Sequence, residues 1–109
     1  MPPDINEADW KVLRRIHSLA LERFCERVLG EVERIVRNAA LSHHERYLEI
    51  FKLMQRRDQD MARIFDNPRR SQALTMLAQM RSEGVLTEEE FSSLSQQTRS
   101  AVEMLLGIG

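Results

Sequence analysis

Few side chains of this chain have a type and spacing that could do chemistry, and they fall into four groups. The first is a pair of polar intruders. His17 interrupts an apolar stripe of Leu13, Ala20, Leu21 and Phe24, and Asp58 interrupts one of Met54, Met61 and Phe65. On facing helices an imidazole and a carboxylate could exchange a proton, or hold a small ligand or a metal ion. They could equally be a buried polar contact that fixes helix register. A carboxylate turned inward without a partner is costly, so the spacing asks for one: His17, Arg57 or Arg70. The second group, His43 and His44, are neighbours that diverge by about 100° around a helix. With no His-Glu-x-x-His or Glu-x-x-His pattern in the chain, they read as solvated residues and no metal is expected.

The third is Cys25, at the edge of the first stripe. Nothing near it in sequence would lower its pKa, so it reads as a small packed hydrophobe rather than a nucleophile. As the single cysteine it cannot form an intramolecular disulfide, which fits a reducing compartment. The fourth group is basic: Arg56, Arg57, Arg63, Arg69 and Arg70. Their planar forks suit phosphates and carboxylates equally. Interspersed acids and a net charge of −1 favour salt bridges over a nucleic-acid face. No Gly-rich phosphate loop, zinc spacing or supported Ser/His/Asp set occurs, so no enzyme activity and no cofactor are expected.

These side chains must be positioned by helices, because the apolar spacing is helical throughout and no alternating strand pattern occurs. The chain has 109 residues, enough for one domain with a modest core. Four helices are expected, over 7–40, 43–66, 68–83 and 88–106, in an all-α fold. Asn6 caps the first, with Ile5 and Trp10 at staple positions. Ser42 and Glu45 form a capping box for the second. Its inner face is expected to carry Tyr47, Ile50, Phe51, Met54, Met61 and Phe65. Pro68 is expected at the first position of helix three, with Asn67 as its cap. Gly84 closes that helix in the left-handed conformation. Thr87 and Glu90 box the start of helix four, and Leu86 and Phe91 staple it.

A first helix of about 33 residues spans about 50 Å, more than a compact four-helix domain can cover. Either the end of the helix protrudes or a second copy of the chain covers it; a homodimer is expected, with Trp10, Leu13, Phe24, Val28, Val32 and Ile35 as the candidate interface. No apolar run approaches the ~20 residues that cross a bilayer, and the first residues lack a signal-peptide pattern. A cytoplasmic location is expected by default.

From Leu77 to Leu106 the chain resembles the short C-terminal helix-hairpin motif called SHOCT. Leu77, Met80, Gly84, Val85, Leu86, Thr87, Glu89, Glu90, Phe91 and Leu105-Leu106 carry the likeness. The resemblance implies a small two-helix unit that mediates oligomerisation and has no catalytic residues. A Ser/Gln-rich stretch from Ser92 to Gln97 departs from the motif's Lys-rich segment. The chain as a whole looks like the small helical proteins of bacteria. The leading expectation is therefore a non-enzymatic helical interaction protein, with nucleic-acid binding, or a ligand or metal site at His17 and Asp58, as alternatives.

Overall fold

A computed structural model describes residues 5–107. It is all-α, in the order α1 (Glu7–Val36), α2 (His43–Phe65), a short 3-10 turn (Arg70–Gln72), α3 (Ala73–Glu83), α4 (Glu88–Ser92) and α5 (Gln96–Leu105). The two long helices form an antiparallel hairpin, and the last three gather at its base.

The helix boundaries follow local chemistry. Asn6 Oδ1 accepts the Asp9 amide at 2.8 Å. Ser42 with Glu45, and Thr87 with Glu90, form complete reciprocal boxes. Gly84 takes φ 72°, with its N–H on the Arg81 carbonyl and the Val85 N–H on that of Met80. That is the Schellman arrangement, which satisfies two of the last carbonyls of α3.

Several boundaries differ from the expected ones. Helix α1 stops at Val36 rather than at residue 40, because the Asn38 side chain takes the Ala40 amide and folds 38–41 into a turn. Helix α2 ends at Phe65, with Asp66 extended. Asn67 is not a cap: it takes φ 51°, a left-handed conformation that Asn tolerates. Pro68 does not start a helix either, since Arg69 after it is extended and α3 proper begins at Ala73. The Arg70 guanidinium holds this segment against the start of the chain, donating to the Ile5 carbonyl and to Glu7. The expected fourth helix is two. Ser95 is extended and caps α5, so the chain turns between Ser92 and Gln96.

The core lies at one end. Leu13, Ile16, Ala20, Phe24 and Val28 of α1 meet Ile64 and Phe65 of α2, Met76, Leu77 and Met80 of α3, and Val85, Phe91, Leu94 and Val102 beyond. No residue of α1 after Val28, and none of α2 before Leu53, is buried. The radius of gyration is 16.7 Å, against about 13 Å for a compact chain of this length. The hairpin therefore projects from the core.

Candidate interaction face

The projecting hairpin is held together by polar contacts as much as by apolar ones. Arg57 on α2 reaches Glu31 on α1 through Nε and Nη2, at 3.1 and 3.2 Å, and also bonds Asp60. At the tip, Arg46 donates to the carbonyls of Val36 and Leu41. At the base, the His17 ring meets the Phe65 carbonyl at 2.9 Å and the Phe65 ring edge-on.

His17 and Asp58 are thus not a pair. Asp58 is exposed. Of the stripe around it, Phe65 is buried and Met61 half-buried, but Asp58 and Met54 turn to the open side of α2. His17 uses its nitrogen on a backbone carbonyl that the end of α2 leaves free. No proton-sharing or ligand site is formed between them. His43 and His44 are exposed. Among the described residues, no three His, Cys, Asp or Glu side chains gather as a metal site would require.

The arginines divide. Arg57 and Arg63 share Asp60, and Arg70 pairs with Glu7 at 2.7 Å. Arg56 and Arg69 are exposed. The basic middle of the sequence is therefore not one cationic face.

Of the candidate interface on α1, Leu13, Phe24 and Val28 are buried in the chain's own core, and Trp10, Val32 and Ile35 are half-buried. The base of helix one is covered by α2 and α3 rather than by another copy. Other large apolar side chains lack cover, Leu19, Leu48, Met104 and Leu105 singly or at the head, and five on the hairpin together. Tyr47, Phe51 and Met54 of α2 are 67%, 54% and 46% exposed, and Leu29 and Val36 of α1 are 61% and 51% exposed. The first three were expected inside; of that expected face Phe65 is buried and Ile50 and Met61 are half-buried, and Leu53 and Ile64 are the other buried residues of α2.

These uncovered residues share one side of the hairpin. Counted at about 100° per residue from Phe24, the residues Cys25, Leu29, Val32 and Val36 fall about 80–140° around α1. Counted from Leu53, the residues Tyr47, Phe51 and Met54 fall about 100–160° around α2. In an antiparallel pair, equal rotations from the shared contact turn to the same side. Arg23 and Arg27, which bind the corner between α3 and α4, fall about 60–100° the other way. The apolar face thus looks away from α3, α4 and α5. The contacts His17–Phe65, Glu31–Arg57 and Val36–Arg46 set its register. They bring Met54 level with Leu29, Phe51 with Val32 and Tyr47 with Val36, within a residue or two.

A second feature is legible only in three dimensions. Asp9 is 2% exposed. Its carboxylate accepts from the Ser95 amide at 2.9 Å and hydroxyl at 2.6 Å, from the Thr98 hydroxyl, and from the Asn6 amide group. Burial alone would push this carboxyl up, but the donors outweigh it and hold its pKa below the ordinary value. Every contact is to the protein, and the group joins the first turns of α1 and α5. It is a structural anchor. Beside it, an open groove of about 560 Å³ runs between Ile5, Leu74, Ala101 and Leu105.

No helix among the described residues is long and apolar enough to cross a membrane. Compared with protein-family models, curated proteins and solved structures, the chain shows no significant match.

Proposed function

We propose that this chain is a non-enzymatic helical interaction protein whose working surface is the open apolar side of the α1–α2 hairpin. The observation that carries the reading is the contiguous stripe of Tyr47, Phe51 and Met54 beside Leu29 and Val36, all about half exposed or more. The largest apolar patch on a folded monomer is typically about 300–600 Å² and is often functional. With side chains of roughly 150–200 Å² each, these five expose roughly 500 Å². A standard interface of about 800 Å² per partner is about 56–65% apolar, so the face is of the size one requires.

Two further features support this reading. The core and the ion pairs at the base leave the hairpin stem standing free of the remaining helices. The segment from Leu77 to Leu106, with its likeness to an oligomerisation motif, forms the head that anchors the stem.

The test is Phe51→Glu in the full chain, expressed at its natural level in its own cell. The chain is expected to run in an assembly larger than one copy. Phe51→Glu should run at the mass of one copy, with unchanged helical content. An assembly that survives the substitution, or a wild-type chain that is monomeric in the cell, removes the reading.

A further inference from the structure

We infer that the partner on this face is a second copy of the chain, related by a two-fold axis parallel to the hairpin, with both tips at the same end. The inference rests on the hairpin face being the interaction surface. What it adds is the occupant and the arrangement.

The face is unequal across its width. The α2 half carries long side chains, Tyr47, Phe51 and Met54. The α1 half carries shorter ones, Cys25, Leu29, Val32 and Val36. A two-fold axis along the helices lays α2 of each copy over α1 of the other. The register then sets Phe51 over Val32 of the partner subunit, Tyr47 over Val36 of the partner subunit and Met54 over Leu29 of the partner subunit. Long side chains meet short ones at these three levels, as close packing requires. The contact is the same patch on both copies, which is what closes a dimer.

The other two-fold arrangement turns the tips in opposite directions. It sets α2 against α2 and α1 against α1. Phe51 would then face Phe51, while the α1 halves stood apart, leaving a wedge of unfilled space that costs contact energy. The rest of the chain also permits the first arrangement. Arg23 and Arg27 turn toward α3 and α4 on the opposite side of α1, so the two heads point outward and do not collide. Four helices result, with α1 and α2 of each copy alternating in direction as in an antiparallel bundle. The half-exposed areas match what a standard interface needs from each side, so one further copy suffices.

The experiment combines a mass with a distance, on the purified full chain alone. Light scattering after size exclusion gives the mass. Lys11→Cys in a Cys25→Ser background then carries one nitroxide label per chain, and pulsed electron resonance gives the label-to-label distance. Lys11 is exposed and lies about 30 Å along α1 from Val32. With tips together, the two labels should lie within about 35 Å, set by a diagonal across helices packed 8–10 Å apart. With tips opposed they would lie beyond about 60 Å. A dimer with the short distance is the expected result, and a label at Ser18→Cys should repeat it. A dimer with the long distance overturns the arrangement. A purified chain that stays monomeric at high concentration overturns the second copy as occupant. In that case the assembly in the cell, and its loss in Phe51→Glu, still decides whether the face binds a different protein.

Discussion

The Ser95 hydroxyl donates to the Asp9 carboxylate at 2.6 Å, across 86 positions of sequence. One side chain at the third position of α1 thereby also serves the cap of α5, whose Ser95 Oγ accepts the Thr98 amide. Two helix N-termini, each with unsatisfied amides and a partial positive charge, share one buried anion.

Asp9→Ala should therefore cost more than an ordinary cap. It removes the acceptor for Ser95, Thr98 and Asn6 together, so about 3 kcal/mol is expected, read from urea denaturation. A cost under about 0.5 kcal/mol, the scale of a surface substitution, would show that the network is not an anchor.

The same group makes the fold acid-sensitive. Its pKa is lower in the folded chain than in the unfolded one, so the unfolded state binds the proton first as pH falls. The stabilisation is fully present above the ordinary value of 3.8 and is lost as pH drops through the folded pKa. Glu90, held low chiefly by its bonds to Arg23, acts in the same sense. Stability measured from pH 6 downward should fall below about pH 4, and Asp9→Asn should flatten that fall.

Arg23 grips Glu90 through two bonds at 2.6 and 2.9 Å, and gives a third to the Val85 carbonyl. Glu90 also completes the box that starts α4. The pair is partly exposed, so screening limits its worth. A double-mutant cycle of Arg23→Ala and Glu90→Gln should give a coupling of about 1 kcal/mol. Zero coupling would mean that the ion pair does not hold α4, leaving Phe91 and the Arg81–Glu88 contact.

Gly84→Ala should cost about 1–2 kcal/mol through backbone strain. The space around it is open, with Arg27 Nη2 the nearest atom at 3.9 Å from an added Cβ. Gly84→Asn should cost less, because Asn visits the left-handed region more readily. Equal costs for the two substitutions would point to crowding instead.

Leu13→Ala and Leu29→Ala separate the two apolar faces of α1. Leu13 is 1% exposed and Leu29 is 61% exposed. The first should destabilise the chain by about 3 kcal/mol, and the second by less than about 0.5 kcal/mol in the monomer, both by denaturation at low concentration.

The boundaries that rest on local chemistry were legible in the sequence. Asn6, Ser42, Thr87 and Gly84 each act within a few residues, and each does in the structure what its neighbours imply. The face of α2 was not legible. Tyr47, Phe51 and Met54 repeat at helical spacing as a core stripe would, but periodicity reports a helix and not what covers it. Burial is decided by where the other helices end, and that coverage stops at Val28 and Leu53. Asp58 lies within the covered length of α2 and is exposed because it points to the same side as Phe51 and Met54, which periodicity alone does not reveal. Asp9 was legible as a cap, but its partners Ser95 and Thr98 lie in another helix. The one local hint was that Ser95 begins a Ser-x-x-Thr run inside a stretch read as continuous helix.

The bonds that Arg46 makes at the tip close loops of five and ten residues. Those of Asp9 close 86 and 89. Loop closure costs more entropy as the loop lengthens, and local contacts form fastest. The hairpin is thus the early product of folding, and the docking of α5 on α1 the late one. During synthesis, the residues of α1 and α2 are joined and emerge before those of α5. The apolar stripe is in place, and open to a neighbouring nascent chain, before the last helix has closed the head behind it.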